Sequence, residues 1–284
     1  MTKQVNRLRL FHFRKAGGTS LRSFVRELAK HYSIDSSVAE GHSLDASDYF
    51  EAAATELHLT SLRDPMARIK SSYLFEGRWP QQDLVRSTAD AVPFDVWVNK
   101  VRSTPPSSFL WVCVSNYYVK SLIGYPAIGG EKIGRSELDL AKQVLEKFDI
   151  VLICEWMSRP QTNDYLAAML NFAMPVPHER YPTAVANPVL DLDEIFDDVS
   201  IRQLVADNSI DAELYSFACD LAESRMRKPY AVNEFSFGDT QELGRLDLVS
   251  VGHGSDTEVD RAPLAANRRW TLLGRLRETL RQRR

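Results

Sequence analysis

Leu8-Arg9-Leu10-Phe11-His12-Phe13-Arg14-Lys15-Ala16-Gly17-Gly18-Thr19-Ser20-Leu21 is the stretch on which the fold turns. An apolar run ends at basic residues, passes two glycines and enters a hydroxyl-rich helix start. This order predicts a strand, an anion-cradling loop and a helix N-terminus. Unpaired backbone N–H groups and the positive end of the helix dipole favour an anion there. Gly17 and Gly18 remove the Cβ atoms that would keep the backbone from a ligand. Lys15 adds a mobile point charge, the Ala16–Ser20 backbone forms the cradle, and the Thr19 and Ser20 hydroxyls donate or cap.

A second element follows one strand later, His58-Leu59-Thr60-Ser61-Leu62-Arg63-Asp64-Pro65 running into Met66-Ala67-Arg68-Ile69-Lys70-Ser71-Ser72-Tyr73. Glu56 to Leu62 reads as a strand, Asp64 as an N-cap and Pro65 as the first helical residue. Arg63 then lies at the strand end and Ser71 about two turns into the helix. Both converge on one anionic group if the strand end and the helix pack side by side. A triphosphatase P-loop is excluded, because G-x-x-x-x-G-K-[ST] puts its Lys after the second glycine, whereas Lys15 precedes both.

Together the two elements resemble the PAPS-dependent sulfotransferases, in the branch of heparan sulfate 2-O-sulfotransferase and related bacterial enzymes. That branch reads H-I-P-K-T-G-G-T-S and R-D-P-x-x-R-x-x-S-x-Y. This chain has His12 to Ser20, with Arg14 for Pro and Ala16 for Thr, and Arg63 to Tyr73. Weaker likenesses are Asn116-Tyr117-Tyr118-Val119-Lys120-Ser121-Leu122-Ile123-Gly124 to N-x-x-x-[RK]-x-L-x-G, Ile153-Cys154-Glu155-Trp156 to a late strand ending in Glu, and Asn208 to Tyr215 to N-x-x-D-x-x-L-Y. The resemblance spans about residues 6–228. It implies that Lys15, Ala16, Gly17, Gly18, Thr19, Ser20, Arg63 and Ser71 bind PAPS, with Arg63 and Ser71 on its 3′-phosphate and Lys15 also acting in catalysis. It implies no metal.

Composition sets the frame. The chain has 284 residues, 44% hydrophobic and 26% charged, as an ordinary globular protein does. No run approaches the ~18–20 apolar residues of a membrane span, and the expected location is the cytoplasm of a bacterium, with peripheral attachment at the inner membrane as an option. Three widely spaced cysteines, Cys113, Cys154 and Cys219, read as small hydrophobes and not as a disulfide or metal framework. Charge is uneven: residues 261–284 carry eight Arg against Glu278, net +7, so the overall −3 leaves −10 on residues 1–260. That balance argues against a nucleic-acid-binding body.

The expected architecture is α/β, a P-loop-like parallel sheet flanked by helices, in one domain with a C-terminal tail. Residues 1–232 form the domain, 233–262 an acidic, poorly packed linker, and 263–284 a basic amphipathic tail. The tail's Trp270, Leu273, Leu276 and Leu280 recur at helical spacing, for an anionic membrane surface or for the acidic body. Helices are expected at 19–32, 65–75, 94–101, 109–123, 138–148, 160–172 and 211–226, a buried strand at 150–154, and loops at 33–47 and 174–188.

Sulfuryl transfer to a hydroxyl also needs a base, and His has a suitable unperturbed pKa. His42, in the loop after the first helix, is the candidate, and Glu40 is the alternative. His12 reads as a packed strand residue. Trp79, Trp97 and Tyr181 read either as sugar-stacking or as core residues. Two functions remain: an O-sulfotransferase acting on a hydroxyl of a glycan, lipid or small alcohol, or a nucleotide-binding regulatory protein of the same fold without turnover.

Overall fold

The computed structural model describes residues 3–40, 44, 46–51, 54–76, 94–105, 109–124, 133–177, 199–227 and 235–237. Among them β2 (Arg7–His12), β3 (Asp35–Glu40), β4 (Glu56–Leu62) and β5 (Ile150–Ile153) form a parallel sheet in the order β3-β2-β4-β5. A second, two-stranded parallel sheet joins β1 (Lys3–Val5) to β6 (Phe235–Phe237). The helices are α1 (Gly18–Tyr32), α2 (Ala46–Tyr49), α3 (Pro65–Glu76), α4 (Phe94–Arg102), α5 (Phe109–Val114), α6 (Tyr117–Leu122), α7 (Arg135–Glu146), α8 (Pro160–Leu170), α9 (Val199–Asp207) and α10 (Ser209–Arg227).

Period-two alternation sends the sheet's apolar residues to both faces. Leu8, Leu10, Leu57, Leu59, Ile150 and Leu152 pack with Leu21, Phe24 and Leu28 of α1 and Leu166 of α8. Phe11, Leu62, Val151 and Ile153 pack with α6, α7 and α10. The fold is therefore α/β, with helices on both faces of a parallel sheet. β4 is buried along its whole length despite its polar residues, because each is paired. Glu56 meets Arg9 at 3.1 Å, and Thr60 donates to the Phe11 carbonyl at 2.9 Å. His58 donates its backbone N–H to Asp149 at 2.8 Å. No helix among the described residues is long and apolar enough to cross a membrane.

The connections reverse direction at one point of the sheet. From β2 the chain passes through α1 to β3 on one side, whereas from β4 it leads on to β5 on the other. In open α/β sheets the ligand crevice lies beyond the strand carboxyl ends at such a reversal. Here that point falls between the ends of β2 and β4, where Arg14–Gly18 and Arg63 begin.

Several expectations are corrected. The loop expected at 33–47 contains β3 and begins α2; Asp35-Ser36-Ser37-Val38-Ala39-Glu40 has little strand character of its own and is held by register with β2 from Arg7↔Asp35 to His12↔Glu40. One helix was expected over 109–123, but α5 and α6 are separated at Ser115-Asn116, where Asn116 adopts a left-handed backbone (φ 43°). The stretch expected as linker contains β6, and Phe235 packs into the core beside Val5. Trp97 is a core residue, 1% exposed and stacked on Phe94, so it does not face a sugar. Cys113 is buried, but Cys154 and Cys219 are only half-buried. Trp79, residues 178–198 with Tyr181, and the tail lie outside the described residues.

Candidate functional site

The first loop is built by its own backbone. Lys15 sits in the left-handed region at φ 63°, a conformation that costs a non-glycine residue about 1–2 kcal/mol. A turn from the Phe13 carbonyl to the Ala16 N–H closes the loop at 3.2 Å, and the Ser61 hydroxyl of β4 donates to the Ala16 carbonyl. Ala16 is fully buried, so both of its backbone polar groups serve the shape of the loop. Gly17 caps α1 at φ 84° and has no side chain to cap with, and the first turn of the helix holds no acid. Thr19 is half-buried and Ser20 buried in that turn.

Both glycines also have a steric reason within the protein itself. A Cβ on Gly17 would meet Met157 Cε at 3.0 Å and Cys154 Sγ at 3.2 Å. A Cβ on Gly18 would fall 1.9 Å from His12 Nε2 and 2.0 Å from Cδ2. The missing side chains thus make room for the protein's own residues, which then line the loop from behind. His12 is not simply packed core: it is half-buried over Gly18, and the Arg22 guanidinium donates to its Nδ1 at 3.0 Å. A guanidinium is only a donor, so Nδ1 is the acceptor of this bond. Burial pushes the Cys154 thiol above its ordinary value, keeping it protonated.

The second element converges on the first through α3. Asp64 is the N-cap, accepting the Ala67 N–H at 2.8 Å. Arg63 leaves β4 half-buried; its Nε is buried without a hydrogen-bond partner among the described residues, and Glu155 Oε1 is 3.8 Å away. Glu155 also accepts from the Asp64 N–H at 3.1 Å and from the Tyr215 hydroxyl at 3.0 Å, so its carboxylate holds the loop as a whole. Lys15 Nζ lies 3.8 Å from the centroid of Phe75. Phe75 is four residues beyond half-buried Ser71, on the same face of α3. That face is therefore turned toward the first loop.

Of the base candidates, His42 lies outside the described residues. The backbone of Glu40 ends β3 directly opposite His12 at the carboxyl end of the sheet. His58 is fully buried in β4, and His31 packs on Tyr32 and Phe172; both are structural.

Residues that sequence reasoning did not assign to the site are Phe75, Glu155, Arg68, Tyr117 and Tyr118. The Tyr117 hydroxyl accepts the Arg14 N–H at 3.0 Å. The Tyr118 hydroxyl accepts the Arg63 N–H and donates to the Arg63 carbonyl, both at 2.9 Å. Arg68 is fully buried, with its Cζ 4.5 Å from the Tyr117 ring centroid and 5.1 Å from that of Tyr118. Burial pushes both tyrosine hydroxyls far above their ordinary pKa, so they act as hydrogen-bond partners and not as acids or bases. The helical offset Ser71-x₃-Phe75 was the available sequence signal; the reach of Tyr117 and Tyr118 had none. Among the described residues no group of three or more His, Cys, Asp or Glu side chains is set to hold a metal. No protein-family model matches the chain, and no curated protein matches it significantly.

Proposed function

We propose that this chain is a PAPS-dependent O-sulfotransferase whose Lys15–Ser20 segment works as a P-loop-like cradle. The observation that carries this reading is the contact of Lys15 with Phe75, which turns the Ser71 face of α3 toward the first loop. Two basic groups and a hydroxyl then border one crevice at the sheet's reversal point. The half-buried Arg63, whose Nε has no hydrogen-bond partner among the described residues, fits a second phosphate.

PAPS, when bound, supplies the sulfuryl group and the leaving phosphate. Lys15 and the first-turn N–H groups of α1 stabilise charge that grows on that phosphate as the bond to sulfur breaks. Arg63 and Ser71 hold the 3′-phosphate, the group that separates this donor from common adenine nucleotides. His42, or Glu40 in its place, takes the proton from the acceptor hydroxyl as its oxygen bonds to sulfur. The acceptor is a hydroxyl of a glycan, a lipid or another small molecule.

Calorimetry of 3′,5′-ADP against 5′-AMP tests the reading, paired with labelled-sulfate transfer from PAPS to glycans, lipids and small alcohols. The expected result is a strong preference for 3′,5′-ADP that Arg63→Ala erases. Equal affinity for the two nucleotides removes the basis for the assignment. Tight 3′,5′-ADP binding with no transfer to any acceptor favours a regulatory protein that keeps the fold without turnover.

A further inference from the structure

We infer that Tyr117 and Tyr118 are positioning residues, each fixing one of the two anion-binding elements from a single short helix. The inference rests on the reading of those elements as the two phosphate sites of a nucleotide, and it adds how they are held in mutual register.

Two adjacent residues on a helix point about 100° apart, so one helix can reach two loops with consecutive side chains. Tyr117 reaches the backbone of Arg14 in the first loop, whereas Tyr118 reaches the backbone of Arg63 at the exit of β4. The Tyr118 contact is bidentate, with its hydroxyl both accepting from and donating to Arg63. It therefore fixes the orientation of that peptide as well as its position. Phe13 packs edge-on against both rings, at 6.1 and 4.9 Å between centroids, which ties the start of the first loop to the same pair. Arg68 covers the rings from α3, the helix that carries Ser71.

The base of α6 is itself locked. Asp211 Oδ2 accepts the Tyr118 N–H at 2.9 Å and Oδ1 the Val119 N–H at 3.0 Å. Asp211 is fully buried; burial raises its pKa, opposed by Arg68 and by those two donors. The tyrosines thus stand on a rigid base, and their hydroxyls are the groups that meet the loops.

The division of labour makes the inference specific. Loss of the Tyr118 hydroxyl loosens the Arg63 element alone and costs the 3′-phosphate contact. Loss of the Tyr117 hydroxyl loosens the cradle shared by every nucleotide. The test uses full-chain Tyr117→Phe and Tyr118→Phe, which keep both rings and their packing. Amide hydrogen exchange at Arg14 and Arg63 is measured without nucleotide, and affinity for 3′,5′-ADP and 5′-AMP by calorimetry.

Tyr118→Phe is expected to speed exchange at Arg63 about tenfold without changing Arg14, and to lower 3′,5′-ADP affinity about tenfold, with 5′-AMP affinity held within about twofold. Tyr117→Phe is expected to speed exchange at Arg14 and to weaken both nucleotides by the same factor. Unchanged exchange at both amides overturns the inference. Equal loss of protection throughout β4 overturns it too, since that is plain destabilisation. A wild-type protein that binds neither nucleotide sinks the sulfotransferase reading, while the exchange measurement still decides whether the hydroxyls hold the loops.

Discussion

Gly18→Ala separates two explanations of the glycine pair. If Gly18 is small so that a ligand can approach, an added methyl leaves the fold intact and lowers nucleotide affinity. The geometry says otherwise: the new Cβ falls 1.9, 2.0 and 2.7 Å from three atoms of the His12 ring, the closest roughly 1.5 Å inside ordinary contact. The ring must swing away and give up the Arg22 hydrogen bond at 3.0 Å. Overpacking of this kind costs about 1–3 kcal/mol, and a hydrogen bond to a charged group is worth about 1.5–3 kcal/mol, part of it recovered by solvation of the freed Arg22. A net loss of about 2–3 kcal/mol is expected in urea unfolding, read from the midpoint at constant slope. His12→Ala in the same chain removes the clash, so the double variant should be more stable than the sum of the single effects by at least about 1 kcal/mol. Additive effects of Gly18→Ala and His12→Ala would refute the argument, as would a Gly18→Ala protein of full stability that binds nucleotide poorly.

Asp149→Asn tests the cluster under β4. Burial raises the Asp149 pKa, but hydrogen bonds from His58 and Lys3 outweigh it and hold the carboxyl below its ordinary value of 3.8. A lowered folded-state pKa contributes stability above 3.8 that is lost as pH falls through the folded value, so the variant's deficit at pH 7 should vanish in strong acid; a deficit constant with pH refutes this. On the sulfotransferase reading, His42→Ala lowers turnover by roughly 10²–10⁴ with 3′,5′-ADP affinity nearly unchanged; full activity in that variant beside a dead Glu40→Ala assigns the base to Glu40. If the basic tail holds an anionic membrane, truncation after Phe237 abolishes sedimentation with anionic liposomes at low salt while nucleotide binding persists, and a full-length protein that never sediments leaves docking on the protein body.

The strand–loop–helix units were legible because their signals are local. Leu8 to Phe11 alternates, Gly17 marks a left-handed turn, and Asp64-Pro65 announces a helix that begins at Pro65. β3 was hidden because, Val38 apart, its residues carry little strand preference and its pairing comes from β2. The pairing of β1 with β6 was hidden by distance, Lys3 meeting Phe235. At the two loops, sequence reasoning read His12 as core and did not foresee the side chains that pack against the two glycines. Those errors share one cause: the ring that fills the space over Gly18 and the sulfurs beside Gly17 arrive from other elements.

The break between α5 and α6 shows how distant residues can overrule a local pattern. Phe109 to Ile123 has the apolar spacing of one helix, and a left-handed Asn116 costs about 1 kcal/mol on its own. Four hydrogen bonds to side chains hold the break. Asn208 Oδ1 accepts the Asn116 N–H at 3.2 Å, and Asn116 Oδ1 accepts the Asp211 N–H at 3.0 Å. Asp211 then accepts the N–H groups of Tyr118 and Val119. The starts of α6 and α10 therefore cap each other across more than 90 residues of sequence. The N–H groups of Asn116, Tyr118 and Val119, which an unbroken helix would pair with the carbonyls four residues back, thus keep partners at the break. Its consequence reaches the site, because an unbroken helix would carry Tyr117 and Tyr118 on a different axis. Asn116, Asn208 and Asp211 touch neither loop, yet they set the direction from which both loops are held.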